Sequence, residues 1–129
     1  MTAGDVNIVL IAKRFYESLP KYSRDKEVSK RLQDAVSSAI RNSCYDLRVD
    51  FSKETFKKHL LAAFVDARIF DKIRRDRRRL ENCFRVVDQV VDDLFSELKC
   101  LKGEDKWRFL ENIIKLHVVR RRLGSEWSQ

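Results

Sequence analysis

Three glycines and one proline in 129 residues leave this chain almost nothing with which to interrupt a helix. Gly4, Gly103, Gly124 and Pro20 all fall at the ends of periodic segments rather than inside them. Apolar residues recur at spacings of 3 and 4 through most of the chain. The expectation is an all-α fold, a compact antiparallel bundle of four to five helices with one long heptad-patterned helix. A chain of 129 residues can bury about two-thirds of its unfolded surface, so residues 1–129 read as a single helical domain. A short polar tail follows from about residue 124.

The helices can be laid out one by one. Asp5 caps a first helix that is apolar almost all round over 6–19 and is stopped by Pro20, which predicts deep burial. The second starts at Ser23 or Asp25 and presents Val28, Leu32, Ala35, Val36, Ala39, Ile40 and Leu47 on one side. A loop, YDLRVDFS, offers Asp50 or Ser52 as the next cap. The third helix, 53–70, buries Phe56, Leu60, Ala63, Phe64 and Ala67 and turns Lys53, Lys57 and Lys58 to water. With no Gly or Pro between it and the fourth, either Asp71 caps a new helix or the two run on with a kink.

The fourth helix has the clearest rhythm. Ile73, Leu80, Phe84, Val87, Val91, Leu94, Leu98 and Leu101 follow heptads interrupted at Arg77, a coiled-coil-like seam. At about 30 residues it would be ~45 Å long and project beyond a small bundle. Gly103 ends it. A fifth helix runs from Glu104 and Asp105 to a close at Gly124, with Trp107, Leu110, Ile113, Ile114, His117 and Val118 inward.

Several function classes are disfavoured. At 43% hydrophobic and 37% charged, the chain is too apolar for disorder and more charged than an average domain. No apolar run reaches the ~20 residues of a membrane span, and the N-terminus lacks signal-peptide features, so an intracellular protein, cytoplasmic or nuclear, is expected. Cys44, Cys83 and Cys100 have no metal-ligand spacing and read as reduced, partly buried thiols. His59 lies on a lysine-rich flank, and His117 reads as a hydrogen-bonded core residue; neither has a catalytic partner at a sequence spacing that suggests one. Asp88, Asp92, Asp93 and Glu97 suit a solvated acidic face better than a Mg²⁺ site. No enzyme activity, cofactor or metal is expected.

What asks for a function is charge. Lys and Arg number 28 against 20 acids, a net +8, and KIRRDRRRL at 72–80 packs five arginines and a lysine into nine positions. At 100° per residue, Arg74, Arg75, Arg78 and Arg79 fall opposite the Leu80 seam and Arg77 on or beside it. If the helix starts near Asp71, these arginines crowd the end where the macrodipole disfavours cations. Charge is also sorted along the helix: residues 74–85 sum to +4, whereas Asp88, Asp92, Asp93, Glu97 and Lys99 sum to −3.

Sorting of this kind suits a polyanion held at one end, or a second copy lying antiparallel. The first expectation is nucleic-acid binding through phosphates without strong sequence preference, by Arg74, Arg75, Arg78 and Arg79, helped by Arg85, Lys57 and Lys58. Duplex RNA ranks ahead of DNA, and single strands rank lower because only Tyr22 and Trp127 stand out as exposed aromatics. The alternative is an interaction module, a homodimer or helical partner meeting Leu80, Phe84, Val87, Val91, Leu94, Leu98 and Leu101, with Arg77 setting register. Attachment to anionic lipid ranks last, since no bulky apolar helix face accompanies the basic patch. Arg120, Arg121 and Arg122 are explained by the dipole at their helix C-terminus.

Overall fold

A computed structural model describes residues 3–45 and 51–127. Among them every regular element is helical: α1 (Ala3–Ser18), α2 (Lys26–Tyr45), α3 (Lys53–Asp66), α4 (Ile69–Ile73), α5 (Arg77–Cys100) and α6 (Glu104–Trp127). One 3₁₀ turn, Leu19–Tyr22, links α1 to α2, with Pro20 in its first positions, where a missing N–H costs nothing. There are thus six helices instead of four or five. The extra one comes from the region between the expected third and fourth.

Local chemistry sets most of the boundaries. Asp25 Oδ1 accepts from the backbone N–H of Glu27 at 3.0 Å and of Val28 at 3.5 Å, capping α2. Ser52 Oγ accepts from Thr55 N–H at 3.1 Å and starts α3. Asp76, not Asp71, caps the long helix, accepting from Arg78 and Arg79 N–H at 3.1 and 3.2 Å. The expected third helix stops early because Arg68 adopts a left-handed conformation (φ 57°), which an α-helix cannot continue through. Gly103 (φ 54°) makes the turn into α6, as the sequence suggested. Gly124 does not end α6, which continues to Trp127. Asp5 lies within α1 rather than ahead of it. Leu47 and Asp50 fall outside the described residues.

One core unites the elements: α1 packs on α6, α2 on α3 and α6, and α3 on α5. Phe56, Leu60 and Phe64 of α3, Leu94 of α5 and Phe109 and Leu110 of α6 are among its fully buried side chains. Phe15 and Phe109 meet edge to face with centroids 6.0 Å apart, tying α1 to α6. Deep burial of α1 is a misreading: Ile8, Ala12, Phe15 and Tyr16 face inward, but Val9 and Leu10 are 46% and 45% exposed. Ala67 is likewise exposed, since it follows the last turn of α3. No helix among the described residues is long and apolar enough to cross a membrane.

The heptad reading of α5 needs the largest correction. Val87, Val91, Leu94 and Leu98 are buried, but Cys83, Val86 and Val90 are buried with them. At 100° per residue this apolar stripe spans about 140°, too wide for a two-helix seam and suited to a helix set into a globular core. The expected partner-binding seam is therefore the chain's own interior. Leu80 and Leu101 are only half-buried, and Phe84, at the edge of the stripe, is 41% exposed. Burial also pushes the Cys83 thiol up to about 11, which leaves it protonated and inert at neutral pH.

Candidate nucleic-acid interface

The arginine run straddles a break. The N–H of Arg74 bonds to Phe70 C=O at 2.7 Å and closes α4, and Asp76 N–H bonds to Ile73 C=O at 2.9 Å. Arg74 and Arg75 therefore lie in the α4–α5 turn. Only Arg77, Arg78 and Arg79 stand in the first turn of α5, so the adverse dipole acts on three arginines rather than five, and Asp76 offsets part of it.

Neighbouring arginines in this run have different fates. Arg79, expected to face outward, lies at the edge of the wide stripe on the Val86 side and reaches Asp25, 54 residues away in sequence. Its Nε and Nη2 donate to the two carboxylate oxygens at 2.7 and 3.1 Å. The Asp25 side chain is 13% exposed, and the guanidinium holds its carboxyl below the usual range, with help from the capped N–H groups of α2. One carboxylate thus caps α2 and anchors α5. Arg77 is not on the seam either: it is fully out in solvent, on the far side of Phe84, with Nε 3.2 Å from Glu81. Lys72 reaches Glu27 of α2 at 3.4 Å.

Arg74, Arg75, Arg78 and Arg85 remain. All four are exposed, and none has a carboxylate partner among the described residues. Arg78 and Arg85 are seven residues apart, so they share a face of α5 about 10 Å apart along its axis. Asn82 and Gln89, exposed and uncharged, lie on the same stripe. Arg74 and Arg75 continue the basic surface around the α4–α5 turn, where the one acid, Asp76, is engaged in capping α5.

The lysines of α3 serve another end. Lys57 pairs with Asp88, and Lys53 Nζ lies 3.6 Å from Asp92, so α3 and α5 run antiparallel with matched charges. Lys58 is exposed beside them. Burial, and then the hydrogen bond its hydroxyl donates to Asp93 at 2.7 Å, push the phenol pKa of half-buried Tyr22 up and keep it protonated, so Tyr22 is no free stacking platform. Asp88 and Asp92 are exposed, as a solvated acidic face requires, and pair with α3 at the surface, while Asp93 is turned partly inward to Tyr22. Among the described residues no group of three or more His, Cys, Asp or Glu side chains is placed to hold a metal ion. Side chains at Cys44 and Trp127 lie outside the described set.

His117 sits in a second network that sequence spacing missed. Tyr16 OH donates to Nδ1 at 2.9 Å, and Nε2 lies 2.7 Å from Asp34 Oδ1. Burial lowers the imidazole pKa more than Asp34 raises it. A neutral ring with its proton on Nε2 satisfies both neighbours, donating to Asp34 and accepting from Tyr16. The arrangement ties α1, α2 and α6 together; Tyr16, buried in the core, shows no open face to a substrate. No protein-family model, curated protein or solved structure matches this chain.

Proposed function

We propose that the chain binds nucleic acid through phosphate contacts, without strong sequence preference, using Arg74, Arg75, Arg78 and Arg85. The observation that carries this reading is the contrast within one run: Arg79 and Arg77 have intramolecular carboxylates, whereas these four have none among the described residues. Unpaired guanidinium groups lose no internal contact when they turn to a phosphate, and their planar forks match its oxygens. The net charge of +8 adds long-range attraction for a polyanion. Duplex RNA ranks ahead of DNA, because its bases are hidden from side chains and its backbone dominates what a helix surface can grip. Arg79 belongs to the scaffold, and Lys57 is shared with Asp88; Lys58 is at most an auxiliary contact. An intracellular setting, cytoplasmic or nuclear, goes with this role.

A salt titration with labelled duplex RNA tests it. Four neutralised phosphates give log affinity a slope of about −3.6 against log salt. Arg75→Ala with Arg78→Ala should flatten that slope by about two and leave the circular dichroism unchanged. Absence of binding at about 50 mM salt, or a slope indifferent to both substitutions, would remove the proposal and leave the four arginines to an acidic protein partner.

A further inference from the structure

At the far end of α5, where it turns into α6, lies a cavity of about 510 Å³ lined by Phe51, Phe95, Leu98, Trp107 and Leu110, with Ser96, Lys53, Lys99 and Lys106 around it. The floor is hydrocarbon. Phe51 and Phe95 stack with centroids 5.1 Å apart and planes 11° from parallel, and Leu98 and Leu110 are buried beneath. Trp107 is half-buried and forms a wall. The volume falls in the range of small-molecule sites, which combine an apolar lining with a few polar groups.

Its charge is of one sign. No carboxylate contributes to the lining, and all three charged residues there are lysines. Lys53 is shared with Asp92 at 3.6 Å, but Lys99 and Lys106 are exposed with no carboxylate partner among the described residues. Lys99 is at home in the last turn of α5, where the dipole favours a cation. Lys106 is not: it stands in the first turn of α6, where the dipole opposes it, so helix stability does not explain it.

A bare inorganic anion gains nothing from the aromatic floor, a neutral hydrocarbon gains nothing from the lysines, and a cation is repelled. We infer that this cavity binds an amphipathic monocarboxylate, its hydrocarbon body on Phe51, Phe95 and Trp107 and its carboxylate between Lys99 and Lys106. Burial of the chain supplies most of the affinity, and the two ammonium groups set the choice of head group. The inference is independent of the arginine strip, which lies at the other end of α5.

Trp107 provides the readout, because the chain has two tryptophans and Trp127→Phe leaves Trp107 as the single indole. Titration of that protein with dodecanoate should give a saturable, one-to-one change in emission. Dodecyltrimethylammonium, with the same tail and the opposite head, should bind at least tenfold more weakly, and acetate should give no change. Lys99→Glu with Lys106→Glu should lower dodecanoate affinity about tenfold with helicity retained; Lys99→Gln with Lys106→Gln replaces it should the charge reversal disturb folding. Equal binding of the two detergents, binding indifferent to the lysine substitutions, or uptake of several molecules with loss of helical signal would each overturn the inference. On the same lysine variants, duplex RNA binding should still respond to Arg75→Ala with Arg78→Ala, whatever the lower net charge does to overall affinity, so the two sites fail or stand separately.

Discussion

The two ends of α5 carry opposite charge and solve it differently. At the acidic end, Asp88 and Asp92 meet Lys57 and Lys53 of α3, and Asp93 takes the hydroxyl of Tyr22. At the basic end Asp25 binds Arg79 and Glu81 binds Arg77, but Arg74, Arg75, Arg78 and Arg85 are left facing water. Charge sorting that suggested an antiparallel second copy is thus half answered inside the chain. The antiparallel mate of the acidic block is α3. Most of the charges left unpaired on α5 are basic, and this imbalance is the ground for the proposed polyanion.

The largest expected effect lies between the two ends. Leu94→Ala removes a fully buried side chain from the wide stripe of α5 and should cost about 2–5 kcal/mol in urea unfolding. The midpoint should not depend on protein concentration, because the stripe packs within one chain. A destabilisation that fades as the protein is concentrated would instead place Leu94 between two chains and restore the seam to a partner.

Next comes the contrast between paired and free arginines. Asp25→Asn weakens the cap of α2 and the anchor of Arg79 together, and should cost about 1–2 kcal/mol. Arg78→Ala should stay within about 0.5 kcal/mol. The pH dependence has a definite sign. The Asp25 carboxyl is held below its ordinary value, so its ionised form contributes stability above the usual carboxylate range, and that contribution is lost as pH falls through the folded value. The gap between the native chain and Asp25→Asn should therefore be open at neutral pH and close in strong acid. A constant gap would assign the effect to shape rather than charge.

The smallest effect belongs to the acidic end. Lys57 and Asp88 are both about half exposed, and a double-mutant cycle of Lys57→Ala with Asp88→Asn should give a coupling of about 0.2–1 kcal/mol that shrinks with added salt. A coupling as large as that of Asp25 with Arg79 would erase the distinction drawn between the two ends.

Much of the fold was legible before any coordinates. Asp25 and Ser52 are each one of the two candidates the sequence offers for the starts of α2 and α3, because a cap is a bond between near neighbours, and the structure picks them out. Gly103 is read correctly because a left-handed turn favours glycine. Arg68 defeats the same reasoning, since an arginine held at φ 57° has no compositional mark, and the early end of α3 and the separate α4 follow from it. The width of the α5 stripe is present in Cys83, Val86 and Val90, which a heptad template passes over. Counting them would have moved Arg79 from the outer face to the edge of the core.

Sequence by itself determined that this chain is helical, where α2, α3 and α6 begin, and that it carries an excess of positive charge gathered near residues 72–80. Those properties rest on backbone hydrogen bonds, side-chain periodicity and composition, all of which act over a few residues or over none. Tertiary structure decided which charges are free. Arg78 and Arg79 are adjacent and chemically identical, yet one reaches a carboxylate 54 residues away and the other meets solvent. The same holds for Tyr16 with His117 and for the lysine-rimmed cavity between α5 and α6. A hydrogen bond or a contact ion pair needs its two groups within a few ångströms, and only the packing of distant helices brings such partners that close.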